Sequence, residues 1–218
     1  MAHARPLHRP EFDQAAARAA ELQLTQVGLM EKNPKSYPAW HHRKWVAANL
    51  GVDAAAELAL TGKALLADER NFHCWNYRRY IVDLCDVPAT DELAFTQACI
   101  ERNFSNFSAW HYRTLLLPQV LPMSAGTLAD EFAFVRAALF TEPWDQSGWF
   151  YHAWLSDHVC ARAVTPELPA DELAALSELV LAELRTLQEL QTLQPECPCM
   201  CRSAWRSWCH SLRALSCP

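Results

Sequence analysis

The residue of this chain whose type and position best suit it to a chemical role is a lysine at the start of a predicted helix. In the stretch NPKSYPAWHHRKW, residues 33–45, Lys35 comes directly before Ser36, a residue type that often caps helices. The first turn of a helix presents free N–H groups and the positive end of the helix dipole. A lysine ammonium at that point indicates a site for an anion. A lysine in a turn is more often simply solvated, so this interpretation needs support from the rest of the sequence.

Histidines and cysteines are also potential metal ligands, but their spacing does not favour a metal site. His41 and His42 are adjacent, whereas two ligands on one helix face would stand four residues apart. Further soft ligands lie near the C-terminus, at Cys197, Cys199, Cys201, Cys209 and His210. Their Cys-x-Cys-x-Cys run lacks the spaced second pair that is typical of zinc sites. We therefore predict no metal in this chain.

The block around Lys35 recurs along the chain, as NFHCWNYRR, NFSAWHYRT and DQSGWFYHA. Its tryptophans recur at a nearly constant spacing: Trp40, Trp75, Trp110 and Trp149. Three residues after each tryptophan stands a cation or an imidazole: Arg43, Arg78, Arg113 and His152. Residues three apart share one face of a helix. The pattern predicts that each tryptophan fills the gap between neighbouring repeats, while each arginine finds an anionic or carbonyl partner beside it.

These blocks need helices to position them, and the sequence supplies start signals at the right places. Four residues before each tryptophan is a good cap residue: Ser36, Asn71, Asn106 and Asp145. Between the blocks lie segments whose apolar residues recur at helical spacing: 12–31, 53–68, 89–102, 127–141 and 171–193. The expected starts of the later segments are Asp53, Thr90, Thr127 and Asp171. Each repeat is thus predicted to be a helical hairpin, with a proline-rich loop over 118–126.

Composition narrows the class of protein further. The 218 residues include only 5 glycines and carry a formal net charge of −6, which favours helices and gives no basic stripe for nucleic acid. The longest uncharged run, residues 114–129, is shorter than a membrane span and is interrupted by Pro118 and Pro122. The N-terminus carries Arg, His and Pro where a secretion signal needs apolar residues. We expect a cytoplasmic protein without a transmembrane segment.

The blocks NPKSYPAWHHR, DERNFHCWNYRR, RNFSNFSAWHYR and DQSGWFYH resemble the repeats of protein prenyltransferase α subunits. Within this family they are most similar to the branch that geranylgeranylates Rab GTPases, and the resemblance covers roughly residues 20–194. It implies an all-α fold, a right-handed superhelix of helical hairpins that wraps around a separate β subunit. It divides the chain into a flexible N-terminus at 1–11, the repeats at 12–194 and an atypical cysteine-rich, disordered tail at 195–218.

The resemblance also implies a function. The β subunit would hold the catalytic zinc, so that this chain carries no cofactor of its own, and geranylgeranyl diphosphate would bind at the subunit interface. The acceptors would be C-terminal cysteines of Rab GTPases presented by an escort protein. The α chain alone would not transfer prenyl groups. The alternative is a helical-repeat scaffold without catalytic function, or an inactive truncated isoform that binds a protein partner, because the fifth hairpin has no recognisable second helix.

Site residues follow from the resemblance, position by position. Lys35 matches the family lysine that reaches the diphosphate and stabilises charge on the leaving group, an electrostatic catalytic role. Tyr37 and His73 match positions on the same edge, where a hydroxyl and an imidazole can bind phosphate oxygens.

Packing offers an alternative explanation for one of these residues. Phe72 and Phe107 stand at the register of Tyr37, so a packing role common to all repeats remains open for the tyrosine. The counterparts of His73 are a proline and two serines, so packing does not require an imidazole there.

Overall fold

Every tryptophan block begins a helix, and the same position of the block caps it. The computed structural model describes residues 13–197. At each start, the side-chain oxygen of the cap residue accepts a backbone N–H of the first turn: Ser36, Asn71, Asn106 and Asp145. A cap of this kind stabilises a helix by about 1 kcal/mol. The caps therefore fix where each helix starts.

The chain divides into two compact units, residues 1–87 and 88–218. The first unit contains two hairpins, with helices α1 (Gln14–Val27), α2 (Tyr37–Leu50), α3 (Ala54–Ala67) and α4 (Phe72–Leu84). A π-helical turn, Gly28–Lys32, continues α1. Helix α1 packs on α2, α3 packs on α4, and the two second helices α2 and α4 pack on each other.

The second unit repeats this arrangement. Its helices are α5 (Ala89–Arg102), α6 (Phe107–Val120), α7 (Ala125–Thr141), α8 (Gln146–Ala163) and α9 (Ala170–Leu193). Helices α5 and α6 form one hairpin and α7 and α8 the next, with α6 on α8 and α7 on α9. Residues 13–197 contain no β-strand, which confirms the predicted all-α fold of hairpin repeats. Within this range no helix is long and apolar enough to cross a bilayer.

Three predicted helix starts were wrong, and in two of them a proline begins the helix earlier. Helix α5 is capped by Pro88 rather than Thr90, and α9 by Pro169 rather than Asp171. The fixed φ of proline is compatible with a helix start, and its missing N–H is not needed there.

The predicted loop over 118–126 was also too long. Helix α6 continues through Pro118, which lies in its last turn and so removes a single helical hydrogen bond. Helix α7 is capped by Ser124 rather than by the predicted Thr127, whose N–H donates to the Ser124 hydroxyl at 3.3 Å. The loop therefore spans only residues 121–124.

The predicted N-terminal segment 1–11 lies outside the described residues. So does the predicted tail 195–218, apart from its first three residues.

The four indoles are buried, and each is tied to the turn that precedes its helix. Every indole N–H donates to the carbonyl oxygen six residues earlier, at 2.7–2.8 Å: Trp40 to Pro34, Trp75 to Glu69, Trp110 to Phe104 and Trp149 to Pro143. The rings also contact the next hairpin of the same unit. The ring centroids of Trp40 and Tyr77 are 5.3 Å apart, and those of Trp110 and Tyr151 are 4.7 Å apart.

In the first unit, a buried arginine binds a carboxylate of the following hairpin. Arg43 donates from Nε and Nη2 to the two oxygens of Glu57, at 2.7 and 2.6 Å. Its Nη1 donates to the Leu22 carbonyl and the Thr25 hydroxyl. The Tyr77 hydroxyl donates to Glu57 at 2.8 Å. One carboxylate thus joins α2, α3 and α4.

The second unit contains the same triad. Arg113 donates to both oxygens of Glu131 on α7, at 2.8 and 2.6 Å, and the Tyr151 hydroxyl on α8 donates to Glu131 at 2.7 Å. Burial and the neighbouring Glu131 raise the pKa of Tyr151, so the phenol stays protonated and remains the donor. Arg78, in the first unit, donates to the Leu58 carbonyl and the Thr61 hydroxyl.

The fourth copy replaces the arginine with His152, and its surroundings differ accordingly. The His152 Nε2 lies 3.4 Å from Glu183 on α9, and Arg136 donates to the other oxygen of that carboxylate. Burial acts to raise the pKa of Glu183, but the interactions with His152 and Arg136 outweigh it and hold the pKa below its ordinary value. Glu183 is therefore a buried carboxylate that is kept ionised.

Removing the charge of Glu131 should destabilise the second unit strongly. The variant Glu131→Gln leaves the Arg113 guanidinium buried without its anion, which typically costs about 3–5 kcal/mol. Tyr151→Phe removes one hydrogen bond to a charged group and should cost about 1.5–3 kcal/mol. Urea unfolding followed by circular dichroism measures both changes. Asp130→Asn, on the exposed side of α7, is the matched control and should leave the midpoint unchanged. A Glu131→Gln variant as stable as the wild type would contradict the role of the triad.

The lowered pKa of Glu183 has a consequence for stability against pH. Its ionised form contributes stability that is complete above the ordinary glutamate pKa of about 4.3 and is lost as pH falls through the lower pKa of the folded protein. The free-energy difference between the wild type and Glu183→Gln should be constant at neutral pH and shrink below about pH 4. Unfolding titrations at a series of pH values measure this difference. A difference that grows on acidification would show that the pKa is raised instead.

Candidate functional site

Lys35 lies in a turn whose backbone is fixed by short-range hydrogen bonds. The Lys35 N–H donates to the Asn33 side chain at 3.1 Å, and the Ser36 N–H donates to the Asn33 carbonyl at 3.1 Å. The Ser36 hydroxyl then accepts the Ala39 N–H at the start of α2. The backbone of Lys35 is thus held one residue before the helix cap, as the sequence predicts, while its side chain extends into solvent. The Lys35 ammonium lies 3.0 Å from the Asp68 carboxylate.

Tyr37 and His73 come together on the exposed edge of the first unit. The Tyr37 ring stacks on His41 with centroids 6.0 Å apart and meets His73 edge-on, also at 6.0 Å. His73 packs against Phe72 at 3.9 Å. Tyr37 is 65% exposed and Phe72 62% exposed, so neither ring is part of the core. Packing of the core therefore does not account for the tyrosine.

These rings line a shallow pocket of about 100 Å³ between α2 and α4. Its walls are Tyr37, Trp40, His41, Lys44, His73 and Asn76. None of the six is acidic, and most can donate a hydrogen bond from a side chain. Lys35 is not part of the wall; it stands in the turn just before Tyr37. The structure thus brings Tyr37 and His73 together and places Lys35 in the adjacent turn. A pocket of this composition suits an oxyanion such as a phosphate.

Helices α2 and α4 also bring two basic residues to this edge, Lys44 and Arg79, which were not predicted from the sequence. The Lys44 ammonium lies 5.0 Å from the centre of the Tyr80 ring, and Arg79 is hydrogen bonded to Asn76. Partial burial and the nearby charge of Arg79 lower the pKa of Lys44. The spacing of Tyr37, His41 and Lys44, on one face of α2, could have shown this row of polar residues.

The two adjacent histidines point to different partners. His41 lies in the pocket beside Tyr37. His42 Nε2 instead lies 2.8 Å from Glu21 on α1, on the side of the first hairpin. They do not approach a common ligand, which agrees with their spacing in sequence.

Potential metal ligands do not gather elsewhere in the described chain. Residues 13–197 contain no group of three or more His, Cys, Asp or Glu side chains that could hold a metal ion. Of the C-terminal cysteines, Cys197 is described. It is buried, and its thiol donates to the Pro143 carbonyl at 2.9 Å. The other cysteines and His210 lie outside the described residues.

Within each unit the helical hairpins stack on one another, and each has a capped second helix with a buried tryptophan at the same position. These features define a helical-repeat protein. Four segments match the family model described as the protein prenyltransferase alpha subunit repeat: residues 19–50, 54–85, 89–120 and 128–159. Together they cover more than half of the chain. The chain therefore belongs to the protein prenyltransferase alpha subunit family.

Individual relatives carry a more specific name. The chain is 44% identical over 163 residues to the geranylgeranyl transferase type-2 subunit alpha of Rattus norvegicus, covering 68% of this chain and 29% of that protein. It is 38% identical over 172 residues to the protein of the same name in Dictyostelium discoideum, covering 77% and 52%. The chain thus spans about three tenths of the length of the rat relative and about half that of the Dictyostelium one.

A solved structure has the same fold. A chain of the Candida albicans protein geranylgeranyltransferase-I complexed with GGPP superposes with a TM-score of 0.62. The superposition covers 94% of this chain and 66% of that chain, at 21% sequence identity. At this identity the similarity establishes the fold alone.

The charge of Arg79 should control the ionisation of Lys44. Replacing Arg79 with Gln removes a neighbouring positive charge and should move the pKa of Lys44 upwards, towards its ordinary value, while the contribution of burial remains. The carbon-13 shift of the Lys44 Cε, followed by NMR from pH 8 to pH 12, measures this change. Lys63→Gln, on the exposed face of α3, serves as the control and should leave the titration of Lys44 unchanged. If Arg79→Gln leaves the titration of Lys44 unchanged, the charge of Arg79 does not influence the pKa of Lys44.

Proposed function

We propose that this chain acts in the cytoplasm as the α subunit of a heterodimeric Rab geranylgeranyltransferase. In this complex a zinc-containing β subunit transfers geranylgeranyl from geranylgeranyl diphosphate to C-terminal cysteines of Rab GTPases, which an escort protein presents. The observation that carries the proposal is the polar edge of the first unit, where Lys35 and Tyr37 are exposed and His73 is half-buried at the starts of two packed helices. The names of the relatives support the identity of the enzyme.

The chemical role of this edge follows from where charge develops in prenyl transfer. The thiolate of the Rab cysteine, which the zinc of the β subunit would activate, attacks C1 of the isoprenoid, and the bond from C1 to the diphosphate oxygen breaks. Negative charge grows on the departing diphosphate. The Lys35 ammonium, the Tyr37 hydroxyl and the His73 imidazole are donors that can stabilise this charge. They bind and orient the leaving group, and they supply no nucleophile. The α chain alone is therefore expected to be inactive.

Exposed aromatic residues in each unit support a protein partner. Tyr37 and Phe72 in the first unit, and Phe107 in the second, are large rings in the first turns of second helices that remain accessible to solvent. Phe150, just after the first turn of α8, is also exposed. In the second unit Phe107 and Phe150 lie 5.0 Å apart. Aromatic side chains are enriched at protein interfaces. We assign these rings to the surface that contacts the β subunit.

The decisive experiment is co-expression of the full chain with the β subunit from the same source. Size-exclusion chromatography should show a stable heterodimer. The heterodimer should transfer labelled geranylgeranyl to a Rab GTPase in the presence of an escort protein. The α chain purified alone should show no transfer. Failure to form a complex would remove the proposal.

Within that heterodimer, Lys35→Ala should reduce kcat by about 30- to 1,000-fold, which corresponds to ~2–4 kcal/mol of transition-state stabilisation. The expected loss is mainly in kcat, because charge on the leaving group is largest in the transition state. Lys63→Ala, an exposed lysine of the same unit, is the control and should retain wild-type turnover. Unchanged turnover in Lys35→Ala would exclude Lys35 from the mechanism. A stable heterodimer without any turnover would favour the scaffold function instead.

A further inference from the structure

In three of the turns before second helices, the first residue of the turn accepts a backbone N–H with its side chain. Asn33 accepts the N–H of Lys35 at 3.1 Å, Asp68 that of Arg70 at 3.2 Å, and Asn103 that of Ser105 at 2.9 Å. Each is an acceptor for the residue two positions later. Two of the three copies perform this function with a neutral amide. The turn itself therefore does not need the charge of Asp68.

Asp68 differs from the two asparagines in its charge, and its second oxygen binds a lysine. While Oδ1 accepts the Arg70 N–H, Oδ2 lies 3.0 Å from the Lys35 ammonium. The backbone of Asp68 is also fixed, since its N–H donates to Ala64 and its carbonyl accepts from Asn71. A rigid carboxylate thus faces a flexible lysine.

Stacking of the repeats does not require this ion pair. In the second unit, Ser105 stands at the register of Lys35, and Glu142 at the register of Asp68. A serine there cannot form an ion pair, yet the two hairpins pack in the same way. The pair is also well hydrated, with the Lys35 side chain 69% and the Asp68 side chain 34% exposed. The Lys35–Asp68 pair is thus specific to the repeat that contains the candidate catalytic lysine.

We propose that Asp68 is an exchangeable counter-ion for Lys35. It holds the ammonium at the edge of the site when no diphosphate is bound, releases it to the incoming anion, and takes it back as the diphosphate product leaves. Asp68 is a positioning residue, because it acts through Lys35. This inference rests on the proposed function, since it assigns a role in diphosphate exchange at the same site.

The strength of the pair is suited to such an exchange. Exposed ion pairs are weak, and the multiply charged diphosphate is the stronger partner for a lysine. Asp68 therefore competes with the diphosphate for the Lys35 ammonium without preventing the diphosphate from binding. Removing its charge should tighten the binding of inorganic pyrophosphate by roughly two- to fivefold, the range that an exposed ion pair can supply. Release of the product should become correspondingly slower.

The experiment measures product inhibition of the heterodimer by inorganic pyrophosphate. Asp68→Asn should lower the inhibition constant by roughly two- to fivefold and leave the KM for the Rab acceptor unchanged. The same substitution in a Lys35→Ala background should have almost no effect, because the ammonium for which the two anions compete is gone. Thermal unfolding provides the structural control. Asp68→Asn should match the wild type, since asparagine keeps the acceptor of the turn, whereas Asp68→Ala should be less stable.

Two results would overturn the role of Asp68 alone. One is an inhibition constant in Asp68→Asn equal to that of the wild type, although Lys35→Ala impairs turnover. The other is an equal fold-change with and without Lys35, which would indicate a general effect of charge on the site. If Lys35→Ala has wild-type turnover and inhibition, the proposed function of Lys35 fails and the role of Asp68 fails with it.

Discussion

A buried arginine in three of the helical repeats is the constraint on which the structure depends. A guanidinium inside a protein is tolerated only if its donors are satisfied and its charge is balanced. Arg43 meets this condition with Glu57, and Arg113 with Glu131, each through two hydrogen bonds. A tyrosine from the next hairpin binds the same carboxylate. Three helices must then keep one relative register, because sliding any of them would leave a buried charge without its partner.

This internal register determines the position of the exposed site. The indole of Trp40 binds the carbonyl of Pro34, and the side chain of Asn71 donates to the same oxygen at 2.9 Å. That carbonyl belongs to the residue directly before Lys35. The turn that carries Lys35 is therefore anchored both to its own helix and to the cap of the next one. In this way the buried core of the first unit presents a lysine, a tyrosine and a histidine on one edge, although none of these three side chains is itself part of the core.

The sequence predicted those features that depend on local chemistry. The caps, the hairpins and the repeat period follow from side chains that act within one helical turn, so the four caps were placed correctly. The helix starts at Pro88 and Pro169 were missed because threonine and aspartate a few residues later are also good start signals. The partners of the arginines were not identified, since Glu57 and Glu131 are distant in sequence and look like ordinary surface acids of amphipathic helices. Glu57 is in fact only 3% exposed.

The turn after α9, at the beginning of the cysteine-rich end of the chain, repeats the hydrogen bonding of the earlier turns. The turn at 194–197 has the hydrogen bond of the earlier turns, from the Cys197 N–H to the Gln194 carbonyl. The Cys197 thiol donates to Pro143 as the Asn71 amide donates to Pro34, both at 2.9 Å. A thiol at this position is a small, buried hydrogen-bond donor that replaces the cap of an earlier repeat. The presence of Cys197 in a cysteine-rich sequence is thus explained by packing.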